Sequence, residues 1–236
     1  MAIAGLYKIF DHWHQQGTVH IISDTHFGDE ELRAGFPDRP TDEDIVKSIN
    51  AKVGRKDTLI ILGDVGSVDL LRQLRGYKVL IMGNHDAGRS TYERQIITQQ
   101  FFKNQYIKQQ VLDLTKILFP NCKYSIDESD EIVWEITADN CLFDEVYEGP
   151  LMISEKLILS HEPVDVPWAF NLHGHDHTGR KSDERHFNVC ADVIDYTPIN
   201  FNQWMKEGHL SKVETIHRST IDKATSKSRK RKGKKK

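Results

Sequence analysis

Five short apolar runs in this chain each stop abruptly at residues able to bind a metal ion, and that repetition constrains the fold more than any other feature. Thr18-Val19-His20-Ile21-Ile22-Ser23 stops at Asp24-Thr25-His26, and Thr58-Leu59-Ile60-Ile61-Leu62 stops at Gly63-Asp64. Lys78-Val79-Leu80-Ile81-Met82 stops at Gly83-Asn84-His85-Asp86, and Lys156-Leu157-Ile158-Leu159-Ser160 stops at His161. Trp168-Ala169-Phe170-Asn171-Leu172 stops at His173-Gly174-His175-Asp176-His177. Such runs are strand-sized and rich in β-branched residues. In sheets built from βα units, ligands gather at the carboxyl edge of the strands. Five strand ends carrying Asp, His and Asn therefore predict one site, although they span more than half the chain.

The segments between the runs support an α/β fold. Thr41 followed by Asp44 approximates a capping box, and Ile45, Val46, Ile49 and Val53 recur at helical spacing, with Gly54 as the stop. A second helix is expected near residues 68–74, giving the β-α-β-α-β order of an α/β domain. Residues 90–118 read as mainly helical, and residues 121–155 as an acidic, exposed hairpin region with a strand at Ile132-Val133-Trp134-Glu135-Ile136-Thr137. The lead-in through Gln16 places His12 and His14 at the surface. Along an extended segment, residues i and i+2 point to the same side, so Asp24 and His26 suit one ion.

Composition narrows the class. The chain has 236 residues, 38% hydrophobic and 28% charged, which suits one sizeable domain over residues 1–222. Its apolar runs are too short for a transmembrane helix. The apolar start is broken at Lys8, with no secretory cleavage pattern. Three cysteines without a Cys-x-x-Cys pair favour reduced thiols, so the expected compartment is the cytoplasm. Residues 223–236 hold nine Lys or Arg and no acid; with these set aside, the formal −3 of the chain becomes −12 for the rest. That basic tail reads as disordered: a solubilising extension, a contact for nucleic acid or another polyanion, or a nuclear address in a eukaryotic host.

Asp24, His26, Asp64, Asn84, His161, His175 and His177 offer carboxylate, imidazole and amide-oxygen ligands. Seven are more than one ion needs if water and substrate also bind. Two ions with one bridging Asp are expected. Mixed nitrogen and oxygen ligands without thiolate suit divalent transition metals, Mn2+ first, with Fe, Zn2+, Ni2+ or Co2+ as alternatives that ligand type does not separate. Two Asp cancel only half the charge of two such ions. A bridging hydroxide and an anionic phosphate ester fit the remainder, with ions about 3.5–4 Å apart serving both reacting oxygens.

The ordered set Asp24-x-His26, Gly63-Asp64, Gly83-Asn84-His85-Asp86, His161 and Gly174-His175-x-His177 resembles the calcineurin-like metallophosphoesterase superfamily, and within it the small single-domain bacterial and phage-type members. The resemblance covers residues 18–198 except 121–150 and departs from the pattern at no ligand position. It implies a four-layer αββα sandwich of the metallo-dependent phosphatase type, acting on phosphomonoesters or phosphodiesters by attack of a metal-bound hydroxide. It implies that Asp24, His26, Asp64 and His177 hold one ion and Asp64, Asn84, His161 and His175 the other, with Asp64 as the bridge. It also implies that Asn84 and His85 meet the substrate, His85 protonating the leaving oxygen. Imidazole suits that task, since its proton affinity lies near neutral pH.

Several polar residues read more plainly. His173 and His186 are expected to be structural, Asp176 to face solvent, and Cys190 to be a buried strand residue without an activating partner. Asp86 is either an orienter of His85 or a turn residue, and Arg39 a solvated cation. The rival functions are a nuclease or nucleic-acid phosphodiesterase, which the basic tail favours and the acidic body opposes, and a non-catalytic scaffold, which an intact His85 opposes.

Overall fold

The β-branched runs become buried strands, and their pairing decides where their ends fall. A computed structural model describes residues 5–119 and 122–214; the basic tail, with all of its readings, lies outside the described residues. In chain order, β1 (Val19–Ile22) leads through α1 (Glu30–Gly35) and α2 (Asp42–Lys52) to β2 (Thr58–Ile61), and α3 (Val68–Leu71) leads to β3 (Tyr77–Ile81). An insertion follows, made of β4 (Gln95–Phe102), α4 (Lys108–Leu118), β5 (Lys123–Asp127) and β6 (Val133–Asn140). The chain then forms β7 (Glu145–Tyr147), β8 (Leu151–Ser154), β9 (Leu157–Leu159), β10 (Phe170–His173), β11 (His186–Asn188), β12 (Ile199–Asn200) and α5 (Phe201–Trp204).

One sheet has the order β12-β1-β2-β3-β7 and a second the order β11-β10-β9-β8. β1, β2, β3 and β7 are parallel, as are β9, β10 and β11, so the carboxyl ends of the motif-bearing strands share an edge in each sheet. Residues of both sheets and of α2 join one apolar core, the packing of an αββα sandwich. Continuous apolar runs are what strands covered on both faces require. Ser23 joins the sheets just before the site: its N–H donates to Val189 O and its carbonyl accepts from Ala191 N–H, both at 2.9 Å.

The α2 start behaves as its sequence predicts. Thr41 Oγ1 accepts from the Asp44 N–H at 3.2 Å and donates to the Asp44 carboxylate at 2.9 Å. Ile45, Val46 and Ile49 are buried. At the opposite edge, α5 packs on β1, while Trp204 lies against Phe170 and Phe187 of the second sheet, ring centroids 5.4 and 5.8 Å apart.

Two expectations need correction. Residues 90–118 are not mainly helical: Gln95–Phe102 is a strand, paired along its whole length with β6, and helix is confined to Lys108–Leu118 and a 3-10 turn at Arg89–Thr91. The Ile and Phe spacing there fits either period, and pairing across a distant strand decides it. His14 is not at the surface. Phe10 and Trp13 enter the core, the Thr58 hydroxyl donates to Trp13 O at 2.6 Å, and His14 is buried with them. Among the described residues no helix is long and apolar enough to cross a membrane.

Candidate metal centre

All seven ligand-type residues fall on the loops that leave β1, β2, β3, β9 and β10. The two sets gather separately. Asp24, His26 and His177 each offer an atom within 4.8 Å of the others, and so do Asp64, His161 and His175. Asp64 Oδ2 joins them, lying 3.4 Å from His26 Nε2 and 3.2 Å from His161 Nε2. Asn84 adds Oδ1 at 2.8 Å from the same His161 nitrogen. Asp24, His26, Asp64 and His161 are buried, His177 is half-buried, and Asn84, His85 and His175 are exposed. The floor is protein, and the roof is open to a substrate.

Strand alternation is not what aims Asp24 and His26 at one point. Asp24 (φ 58°), His26 (φ 40°), Asp64 (φ 53°) and His175 (φ 68°) all sit in the left-handed region, which side chains other than glycine rarely adopt. Such conformations persist where surrounding structure over-determines them, commonly at functional sites. Here neighbouring turns supply the restraint: Asp24 N–H donates to Gly63 O at 3.1 Å and His26 N–H to Asp64 O at 2.9 Å. Glycine is needed where the loops touch. A Cβ on Gly83 would collide with Asp64 Oδ1, and one on Gly174 with Asp24 Oδ2 and Ser23 Oγ. Asp86 proves to be more than a turn residue, because its carboxylate accepts from the Asp64 and Val65 N–H groups at 3.0 Å and from Gly83 N–H at 2.8 Å. It ties the β2 loop to the β3 loop.

Three imidazoles of the site each have one nitrogen committed outside it. His26 Nδ1 donates to Asp29 Oδ2 at 3.1 Å, His161 Nδ1 to Leu62 O at 2.8 Å, and His177 Nδ1 to Asp192 Oδ2 at 2.6 Å. Their Nε2 lone pairs therefore point inward, where oxygen and nitrogen acceptors converge on them. Asp24 Oδ1 and His26 Nε2 are buried with no hydrogen-bond partner. Unpaired buried acceptors facing one another are costly unless a cation or proton sits between them. Ligand atoms on one ion bonded at about 2.0–2.2 Å would be spaced much as these are. The donor set fits divalent metal ions.

Electrostatics point the same way. Burial opposes the charge on Asp64, yet the adjacent His161 and His26 imidazoles and a hydrogen bond from the His85 N–H hold its carboxyl well below the usual range. Burial also opposes protonation of His161, but the Asp64 hydrogen bond and the Asp24 and Asp64 charges push its pKa up to about 9. His26 is raised in the same way. The pocket demands positive charge.

Sequence reasoning missed the residues behind the ligands. Arg39, expected to be solvated, is buried: Nη1 donates to Asp192 Oδ2 at 2.5 Å, and Nη2 to Thr25 O at 2.6 Å and Asp24 O at 3.1 Å. Tyr196 OH donates to Asp192 Oδ1 at 2.6 Å. Burial opposes the Asp192 charge, but His177, Tyr196 and Arg39 hold its pKa at about 2. Asp192 ends another apolar run, Asn188-Val189-Cys190-Ala191, the same design as the five motifs, and that signal was there to be read. His177, Cys190 and Asp192 also cluster closely enough for a cation. The Arg39 guanidinium already occupies the Asp192 oxygen there, and burial pushes the Cys190 thiol far up, so this cluster is structural. His173 is structural too, its Nδ1 bonded to Gly174 O at 2.8 Å, and Asp176 is exposed as expected.

A cavity of about 270 Å³ adjoins the site, lined by Asn84, His161, Met82, Pro150 and Pro163 among others. Comparison with known proteins agrees with this geometry. No curated protein matches the chain. The crystal structure of a protein of unknown function from Aquifex aeolicus shares 20% identity and a TM-score of 0.50, over 80% of this chain and 98% of that one, a likeness of fold alone. The family model of calcineurin-like phosphoesterases matches residues 17–195. The chain belongs to the calcineurin-like phosphoesterase family.

Proposed function

We propose that this chain is a two-metal-ion phosphoesterase that hydrolyses phosphomonoester or phosphodiester bonds, with residues 1–222 acting as one catalytic domain. The observation that carries the reading is Asp64 Oδ2, set between His26 Nε2 at 3.4 Å and His161 Nε2 at 3.2 Å, one from each ligand cluster. In this reading Asp24, His26, Asp64 and His177 hold one divalent ion and Asp64, Asn84, His161 and His175 the other. Mn2+ is the first choice, and Fe, Zn2+, Co2+ or Ni2+ suit the same donors. When bound, such ions supply Lewis acidity toward phosphoryl oxygen and water.

The chain's own groups do the rest. The two carboxylates and the inward imidazole lone pairs fix the positive charge in place without reorganising. Asn84 and His85 stand at the exposed side of the centre, where a phosphate would arrive. The His85 N–H donates to Asp64 Oδ1 at 3.0 Å, and its ring centroid lies 5.7 Å from that of His26. That anchorage leaves the imidazole free to contact phosphate oxygen and to pass a proton to the leaving oxygen. Asp86 and Gly83 hold this loop against the bridging carboxylate.

The test is a substrate panel on purified protein stripped of metal and reloaded with Mn2+ or Ni2+: phosphomonoesters, phosphodiesters, cyclic nucleotides and nucleic acids. Metal-dependent turnover of a small ester supports the reading. Turnover confined to nucleic acid would move it to a nuclease, and metal binding without any turnover to a scaffold.

A further inference from the structure

The insertion ends in an open sheet edge. Its sheet has the order β4-β6-β5, and β4 pairs with β6 on one side only. Among the described residues the backbone hydrogen bonds on the other side of β4 are confined to its last residue, where Phe102 O accepts from the Gln105 N–H at 3.0 Å and the Tyr106 N–H at 3.2 Å. Edge strands of such length commonly carry a lysine, a proline or a bulge that blocks further pairing. β4 carries none, because Gln95-Ile96-Ile97-Thr98-Gln99-Gln100-Phe101-Phe102 is uncharged and its pairing with β6 is unbroken. Ile96 is 63% exposed and Phe102 49%, at opposite ends of the strand.

The phase of the free edge follows from one bond. Lys103 N–H donates to Ile132 O at 2.8 Å, one step beyond the Phe102–Val133 pair. Hydrogen-bonded and non-bonded pairs alternate along an antiparallel ladder. Gln95, Ile97, Gln99 and Phe101 thus turn their backbone groups toward β6, while Ile96, Thr98, Gln100 and Phe102 turn theirs outward.

We propose that a second copy of this chain pairs with that edge, antiparallel, with Gln99 opposite Gln99 on a two-fold axis. In this register Thr98 faces Gln100 of the second copy, Ile97 faces Phe101, and Ile96 faces Phe102. Apolar meets apolar on both faces of the joined sheet, and polar meets polar at its centre. The free outward backbone groups fall on the Thr98–Gln100 pairs and on Ile96 with the Phe102 N–H, so hydrogen bonding and side-chain matching select the same register. Centring the axis on Thr98 keeps the hydrogen bonds but sets Ile96 against Gln100 and Ile97 against Gln99. The strand reads alike in both directions about Gln99, which is the requirement of an isologous contact and not of an unrelated peptide. Two insertion sheets become one continuous sheet and both free edges disappear.

The test uses charge at the axis. Gln99→Lys and Gln99→Glu each place like charges directly opposite one another in a close, non-hydrogen-bonded pair. Analytical ultracentrifugation of the full chain should show a wild-type dimer, self-association weaker by about tenfold or more in each variant, and recovery in an equal mixture, where Lys meets Glu. Circular dichroism and hydrolysis of a small phosphoester should be unchanged, because the Gln99 side chain is exposed and outside the metal centre. A wild type that stays monomeric at high micromolar concentration overturns the proposal. So do two variants that remain dimeric, or a mixture that fails to recover.

Discussion

His177 and Asp192 share a 2.6 Å hydrogen bond that decides which nitrogen of the histidine faces the site. An ionised carboxylate only accepts, so Nδ1 carries the proton and Nε2 is left toward Asp24 Oδ1, 3.7 Å away. Arg39 and Tyr196 in turn hold the carboxylate. Partners of this kind commonly set the affinity of the ion their histidine binds.

Asp192→Asn should therefore weaken metal binding by about 10–100-fold while leaving the ligand set complete. Competition against a chelating dye measures it. An unchanged affinity would mean that His177 is oriented by its loop alone.

At His85, metal binding and turnover should separate. His85→Ala and His85→Asn should retain both ions yet lose about 10²–10⁴-fold in turnover, the range of a general acid. The loss should shrink for nitrophenyl esters, whose leaving groups need little protonation, and grow for alkyl or ribose leaving groups. Equal losses on both would assign His85 to phosphate binding, and loss of metal would make it a ligand.

Glu145 links the 3-10 helix Lys8–His14, which precedes β1, to the first sheet. Its carboxylate accepts from Trp13 Nε1 at 3.1 Å, Tyr77 OH at 2.7 Å and Tyr147 OH at 2.5 Å, with His12 also in contact. Burial opposes its charge, but these donors lower its pKa from the ordinary 4.5. A depressed carboxylate stabilises the fold above its unfolded pKa, and that stabilisation is lost as pH falls through the folded value. Glu145→Gln should cost about 1–3 kcal/mol near neutral pH, and the gap to wild type should narrow below the ordinary 4.5. Denaturant melts at neutral and acidic pH would show it. A gap that widens in acid would contradict the assignment.

Much of the site was legible because its signal is local. A buried parallel strand must be an apolar run, and a ligand-type residue at its carboxyl end follows at once in sequence, as Asp64 follows β2 and His161 follows β9. What was not legible depends on distant partners. Arg39 looks solvated until Asp192, 153 residues away, is placed beside it. The strand at Gln95–Phe102 needs β6 before its period can be decided. The left-handed backbone of Asp24, His26 and Asp64 leaves only a faint mark in residue type, since Asp and His tolerate positive φ better than most side chains but adopt it far less often than glycine does.

The central claim is that Asp64 bridges two ions, and metal content per chain tests it most directly. Elemental analysis of Mn2+-loaded wild type should find two ions per chain. Asp64→Asn should lose more metal and more turnover than Asp24→Asn or His177→Ala, because it removes charge from both ions at once. Near-normal occupancy and turnover in Asp64→Asn would contradict the two-metal account.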